Sequence, residues 1–373
     1  MEATGLRIAL VGPLPPPSGG MANQTLQLAK LLREEGATVE LIQVNRPYSP
    51  RWIAKVQGVR AFFRLLPYLV NLWQSANNVQ LYHVMANSGW SWHLFAAPAI
   101  WIALLRGKPV VINYRGGEAD VFFEKSHFWI KPSLHSANAI IVPSDFLKTV
   151  FGKHGFLADI VPNIINLDRF NTDRNSPSLP SVPPSPCILV ARNLEAIYDN
   201  ASALRAFNIV RAAFPAAQLI LAGSGPEQQA LEQLAAELKL TDAVTFTGRV
   251  DNQGMAALYR KADVMINPSL ADNMPNSILE ALASGVPVVS TNVGGVPYLV
   301  EHGKTALLVP AQNPAAMAGA ILALLNDPAM AKRITEAGLE SVQQYTWATV
   351  KGRLLQVYEK ILAKRNNPIA DAK

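Results

Sequence analysis

Short apolar runs alternate with longer stretches in which apolar residues recur every three or four positions, along most of the chain. The short runs, bounded by turn formers, read as buried strands, and the longer periodic stretches as amphipathic helices. Strands are expected at 7–11, 39–44, 80–84, 109–113 and 139–142. A second series is expected at 187–191, 218–222, 244–247, 264–266, 287–290 and 306–309. Helices are expected at 22–35, 90–105, 201–213, 227–239 and 313–326. Strands that are apolar throughout, alternating with helices, imply parallel sheets covered on both faces, an α/β architecture.

One segment interrupts the alternation. Residues 171–186, NTDRNSPSLPSVPPSP, hold five prolines and four serines, too many for a helix or a central strand. This reads as a linker between two α/β domains. The expected division is a first domain over 1–171, a linker over 172–186, a second domain over 187–346, and a closing helix and tail over 347–373.

In open α/β sheets ligands bind beyond the carboxyl ends of the strands, so the loops there are the candidate sites. After the first strand comes GPLPPPSGGMANQ, 12–24. Gly19 and Gly20 would let a ligand approach the backbone, and the helix start behind them favours an anion. A proline-fixed turn reads equally well, and the loop is not G-x-G-x-x-G. Arg192 follows the first strand of the second series and suits a phosphate, or pairs with Glu195 on the surface. GSGPE at 223–227, with Gly225, and the strand end carrying Gly248 and Arg249 fit a nucleotide pocket or plain turns. DNMPNSILEALASG, 272–285, places Asp272 before a helix over 276–284 and Glu280 inside it, with Pro275 in the first turn. Asp272 then either caps the helix or faces a ligand beside the helix amides. Glu280 lies among apolar neighbours, where a carboxylate needs a partner.

Composition narrows the field. Half of the 373 residues are apolar and 16% are charged, which excludes a disordered or fibrous chain. Cys187 is the single cysteine, so no intrachain disulfide forms, and the first residues show no signal-peptide pattern. The net charge of +6 suits phosphorylated ligands or an anionic membrane surface. No zinc-finger spacing or long basic run is present, so nucleic acid is not an expected partner, and the six histidines show no metal-ligand spacing. His83, at the expected end of the third strand, faces a cleft or is a hydrogen-bonded core residue. Residues 51–73 carry Val56, Val59, Phe63 and Leu66 at helical spacing, Arg60 and Arg64 off that stripe, and Trp52, Phe62 and Trp73 as anchors. Such a segment lies on an anionic membrane or packs on the sheet, and Pro67 is expected to break it.

The block PSLADNMPNSILEALASGVPVVSTNVGGVPYLV, 268–300, resembles the signature of retaining glycosyltransferases of family 4, which have the GT-B fold. VPSDFLKTVF with VPNIINLDRF, SGG at 18–20 and YTWATVKGRLLQVYEKIL at 345–362 resemble other parts of that family. The resemblance implies two Rossmann-like domains facing a central cleft, with the last helix crossing back to the first domain. It implies a nucleotide-diphosphate sugar as co-substrate, no cofactor and no metal. It puts the ribose on Glu280, the donor sugar on Asp272, Asn273, Met274 and Pro275, and the diphosphate near Arg192 and Asn276. Asp272 and Arg192 become the catalytic candidates; Gly19, Gly20, Gly225 and Arg249 the phosphate-side ones; and His83 and Arg115 the acceptor-side ones. A lipid-linked glycan acceptor and a cytoplasmic location, peripheral on the inner membrane face, are the matching expectations.

Three positions depart from the family pattern: Asp272 stands where glutamate is usual, no lysine follows Arg192 closely, and Arg115 stands near a usual histidine. A GT-B-type sugar-nucleotide epimerase and a non-catalytic nucleotide-sugar-binding partner are therefore the alternatives.

Overall fold

The computed structural model describes residues 3–16, 19–47, 59–172 and 185–366. The chain divides into two units: 1–164 with 347–373, and 165–346.

The first unit holds a six-stranded parallel sheet of β1 (Arg7–Gly12), β2 (Thr38–Gln43), β3 (Leu81–Ala86), β4 (Val110–Tyr114), β5 (Ala139–Val142) and β6 (Asp159–Ile160), in the order β2-β1-β3-β4-β5-β6. The second holds β7 (Cys187–Val190), β8 (Gln218–Ala222), β9 (Val244–Gly248), β10 (Val264–Asn267), β11 (Val288–Thr291) and β12 (Leu307–Val309), in the order β12-β11-β10-β7-β8-β9. Successive strand residues point to opposite faces. Ile188 and Val190 enter one core cluster of the second unit, and Cys187 and Leu189 the other. Both faces are buried, which is why these strands read as continuous apolar runs rather than alternating ones.

Several details differ from the sequence reading. The first unit ends at Ile164, not at 171: the Ile165 amide bonds the Tyr345 carbonyl (2.9 Å), and the Phe170 ring meets that of Tyr259 with centroids 5.8 Å apart. Most of the proline-rich linker, 173–184, lies outside the described residues. The short strand β6 escaped the pattern, and the stretch 90–105 is a π-helical turn, Trp92–Ala96, running into the helix Ala97–Leu105.

Residues 51–58 lie outside the described residues, but Val59–Ser75 is one helix that continues through Pro67. Pro67 is exposed, so the carbonyl freed by its missing N–H is on the water side and the break expected there is not needed. The sheet side of this helix is Tyr68, Leu72 and Ser75, while Phe63 and Leu66 face outward.

The last helix, Trp347–Asn366, belongs to the first unit. Val350, Leu354, Tyr358 and Ile361 pack into the cluster that contains Leu10, Leu81 and Val111. Glu35 anchors its start, accepting from Trp347 Nε1 (3.0 Å) and Lys351 Nζ (3.0 Å).

That packing overturns the acceptor-side role of His83. The residue is fully buried in the middle of β3, with Nδ1 2.7 Å from Tyr358 Oη and Nε2 2.9 Å from Asn113 Nδ2. Arg115 Nε donates to Asn113 Oδ1 (3.0 Å), so the Asn113 amide nitrogen is the group facing His83. Nε2 therefore accepts and Nδ1–H donates to Tyr358. Burial drives the His83 pKa down to about 3, and both nitrogens of the neutral ring are used inside the protein.

Candidate functional site

In the second sheet β10 lies on the opposite side of β7 from β8 and β9. The strand order thus reverses between β7 and β10, and such a switch point is where open α/β sheets bind ligands. Arg192 follows β7 and Asp272 follows β10, so both stand at this point.

They form a mostly buried ion pair, with side chains 11% and 13% exposed. Glu195 is not the partner of Arg192; it accepts instead from Asn193 Nδ2 at 3.0 Å. Arg192 Nε donates to Asn267 Oδ1 (2.7 Å), and its guanidinium lies over the Tyr198 ring, 4.8 Å from the centroid. Ser269 Oγ donates to Asn267 Oδ1 (2.8 Å), and Asn267 Nδ2 donates to Ser290 Oγ (3.0 Å). Thr291 Oγ1 donates to the Ser269 carbonyl at 2.6 Å, fixing the loop that carries Asp272. Asp272 Oδ1 accepts from the Asn273 amide (3.0 Å). Asp272 is thus not a helix cap: the N-terminal boundary of the helix Asn276–Ala283 is Pro275, in extended conformation, and no side chain caps it.

The Gly294–Gly295 pair explains itself here. The Gly295 amide bonds the Asp272 carbonyl at 2.9 Å. A Cβ on Gly294 would overlap that carbonyl, and one on Gly295 would overlap the carbonyl of Asn273. Only glycine lets the two loops touch, and Gly294 also sits at φ +51°.

Glu280 lies one turn inside the helix and is partly buried. Its Oε2 is 3.0 Å from the Tyr259 hydroxyl, which also lies 3.1 Å from the Ser277 carbonyl. Loss of water pushes the Glu280 carboxyl up to about 7, against the pull of Tyr259, Arg192 and Arg169. Burial lowers the Arg192 pKa, while Tyr198, Tyr259 and Glu280 hold it up; a guanidinium stays charged under either influence. The site therefore combines a charged arginine, a carboxylate held against it, and a second carboxyl close to neutrality.

Other sequence candidates fall around this core in different ways. Asn273 and Met274 are buried, Met274 inside the apolar cluster. Arg249 Nε donates to Ser224 Oγ at 2.8 Å, which brings Arg249 together with the 223–227 loop. A Cβ on Gly223 or Gly225 would overlap the carbonyl of Arg192 or Leu194, so both glycines serve loop packing. In the first unit, Gly19 has extended backbone (φ −171°) and open space where a side chain would go. Gly20 opens the helix Gly20–Glu34. The internal packing explains the glycines at 223, 225, 294 and 295 but not the one at 19. Among the described residues no three His, Cys, Asp or Glu side chains converge as a metal-binding group.

Sequence reasoning passed over Asn267, Ser269, Ser290, Thr291, Tyr198 and Tyr259. A signal existed for four of them: INPS and VVST are apolar runs that turn polar at their carboxyl ends, where a switch-point site is built.

Comparison with known proteins agrees with this geometry. A family model described as "Glycosyltransferase Family 4" matches residues 18–169, and one described as "Glycosyl transferases group 1" matches residues 186–327. A phosphatidyl-myo-inositol mannosyltransferase of Mycobacterium leprae is 31% identical over 204 residues, 54% of this chain and 53% of that protein. The chain thus spans about half the length of that relative. A glycogen synthase of Mycobacterium tuberculosis is 32% identical over 289 residues, 73% of this chain and 67% of that protein. Among solved structures, a sucrose-phosphate synthase from Thermosynechococcus elongatus superposes with a TM-score of 0.76 at 22% identity, covering 96% of this chain and 99% of that one. Anabaena HepE in complex with UDP and glucose gives 0.74 at 18% identity, covering 95% and 100%.

Proposed function

The chain belongs to glycosyltransferase family 4 and has the GT-B fold, and on that premise we propose that it transfers a sugar from a nucleotide-diphosphate donor to an acceptor hydroxyl, with retention and without a metal. The observation that carries this reading is the Arg192–Asp272 pair at the β7/β10 switch point, with Glu280 a turn inside the neighbouring helix. Anabaena HepE, similar in fold, has been solved in complex with UDP and with UDP and glucose, which supports a nucleotide sugar here.

Each residue has a task on this reading. Nε of Arg192 is engaged by Asn267 and one Nη by Asp272. The remaining N–H groups of the fork meet the diphosphate, where negative charge grows as the glycosidic bond breaks. A guanidinium and helix amides in place do for the leaving group what a cation would do, so no metal is required. Asp272 accepts from sugar hydroxyls and orients the ring. Glu280 accepts from the ribose hydroxyls. The acceptor hydroxyl attacks on the face the diphosphate leaves, which retains the anomeric configuration.

UDP, GDP and ADP are expected to separate in a thermal-shift assay run with and without Mg²⁺. One diphosphate should stabilise the wild type without metal, by about 2.7 kcal/mol at a hundred times its Kd. Glu280→Ala should lose that shift. A shift that requires Mg²⁺ would overturn metal independence. No shift with any diphosphate would count against the donor site and bring forward a degenerate enzyme that lacks the lysine after Arg192, and donor conversion without acceptor would indicate an epimerase.

The acceptor side extends the proposal to a lipid-linked glycan at the inner face of the membrane. Phe63, Leu66, Val70 and Trp73 form an exposed stripe on the helix Val59–Ser75, and Trp101 and Leu105 are exposed on the helix Ala97–Leu105 packed beside it. Arg106 lies over the Trp73 ring at 4.7 Å, which puts a cation at the edge of the apolar face. That combination suits an interfacial helix on anionic lipid, and no single helix among the described residues is long and apolar enough to span a bilayer. Purified protein should sediment with anionic vesicles at low salt, and Leu66→Glu with Trp73→Glu should abolish it; equal sedimentation of the variant would remove the membrane from the reading.

A further inference from the structure

Arg115 in the first unit and Arg192 in the second both stand just past a strand end, and the two are compensated very differently. Arg192 is neutralised by Asp272. Arg115, the first residue after β4, has no carboxylate within ion-pair distance among the described residues. Its backbone N–H bonds the Ala86 carbonyl (2.9 Å), its Nε donates to Asn113 Oδ1 (3.0 Å), and its Nη1 donates to Asn163 Oδ1. These acceptors orient the guanidinium without neutralising it. Burial lowers the Arg115 pKa to about 10, and no acidic group acts to raise it. The acid nearest in sequence, Glu118, bears on Tyr114 instead. A largely desolvated cation held by neutral amides is costly unless an anion completes it.

The backbone beside it packs closely on the loop after β3. A Cβ on Gly116 would collide with Ser88 Oγ, Tyr114 Oη and Asn87 Oδ1. These oxygens are ordered among themselves, Ser88 Oγ lying 2.7 Å from Tyr114 Oη and the Ser88 amide donating to Asn87 Oδ1 at 2.8 Å. The same loop continues through Gly89 to Trp90, whose side chain is 78% exposed. An exposed indole on the loop that carries these amide and hydroxyl groups suits the apolar face of a pyranose ring.

We infer that Arg115, Asn87, Ser88, Tyr114 and Trp90 form a subsite in the first unit for a saccharide bearing a phosphate or carboxylate. Arg115 binds the anionic group and Trp90 stacks on the ring. Resting on the transferase reading, this names the acceptor's class: an anionic saccharide, not a neutral one.

The test is calorimetric titration with UDP held at saturation, so that the phosphate-binding part of the donor site is occupied. The probes are glucuronate, glucose 1-phosphate, a short-chain prenyl diphosphate glucose, and methyl glucoside as the neutral control. Wild type should bind at least one anionic probe and bind methyl glucoside at least tenfold more weakly; which probe binds best separates carboxylate, free phosphate and lipid-linked phosphate. Arg115→Gln should weaken the anionic probe about ten- to a hundredfold, as expected for losing a hydrogen bond to a charged group. Arg115→Lys, which keeps the charge, should lose less. Trp90→Ala, at an exposed position, should weaken charged and neutral sugars alike. UDP affinity should be unchanged in all three variants, which checks their folding. Equal affinity of wild type for charged and neutral sugars, or an Arg115→Gln variant that binds UDP and the anionic probe like wild type, overturns the inference. Failure of wild type to bind UDP would strike the transferase reading instead.

Discussion

Asp272→Ala is expected to lower transfer turnover by about a hundred- to a thousandfold, the scale seen when one preorganised electrostatic group is removed from an active site. Asp272 carries two functions, and the variants separate them. It accepts from donor hydroxyls on the proposed reading, and it pairs with Arg192 in the structure. Removing one partner of a buried ion pair leaves the other charge unpaired, at a cost of about 3–5 kcal/mol. Asp272→Ala should therefore also lose stability. Asp272→Ala combined with Arg192→Met should recover most of it, because the uncompensated charge is gone. Turnover should not return in the double variant. If Asp272 only positioned Arg192, Asp272→Asn would restore most of the rate, since an amide oxygen still accepts from the guanidinium and from the Asn273 amide. Rates for Asp272→Ala within a few-fold of wild type would sink the assignment of Asp272 to the chemistry.

Why Asp272 was visible in the sequence and much of its setting was not follows from the range of the contacts. The parallel strands are apolar on both faces, so each prints a short continuous run, and the observed boundaries lie close to those runs. The placement of Asp272 before a helix and Glu280 inside it needed only local turn chemistry around Pro275. What remained hidden is nonlocal. Arg192 is 80 residues from Asp272, and Glu280 meets Tyr259 across 21 residues. His83 looked like a cleft residue because the sequence ended its strand at 84. The real strand runs to Ala86 and turns His83 toward a helix 275 residues away in sequence. Family resemblance carried the assignments of Arg192 and Glu280 that spacing left open. It did not reveal the Asn267–Ser269–Ser290 network beneath them, which no single spacing encodes.

Glu280→Gln is expected to raise thermal stability at pH 8, leave it nearly unchanged at pH 5, and weaken nucleotide binding far more at pH 8 than at pH 5. In the folded protein the Glu280 carboxyl is pushed up to about 7, from an ordinary value of 4.5. The folded chain therefore holds a proton that the unfolded chain has lost, and stability falls as pH rises from about 4.5 to about 7. At about 1.4 kcal/mol per pH unit, the penalty complete above pH 7 is roughly 2–3 kcal/mol, taking the partial exposure of the group into account. Glutamine has no such titration, so the difference between the two proteins should open only as pH climbs through this window. Binding runs the other way. The ionised carboxylate accepts from both ribose hydroxyls, whereas the protonated form gives up one acceptor site, so wild-type affinity for the nucleotide should rise through pH 7. The terminal phosphate of a free diphosphate also titrates near pH 6, and it does so equally for both proteins. Glu280→Gln thus supplies the baseline: the pH dependence left after its curve is subtracted belongs to Glu280. Parallel binding curves for the two proteins would remove the ribose role. Equal destabilisation of the variant at pH 5 and pH 8 would mean that the Tyr259 contact, rather than an unfavourable charge, governs this position. The outcome expected here describes a carboxylate that the helix keeps in apolar surroundings at a cost to stability, because a nucleotide supplies the partners that the protein supplies only in part.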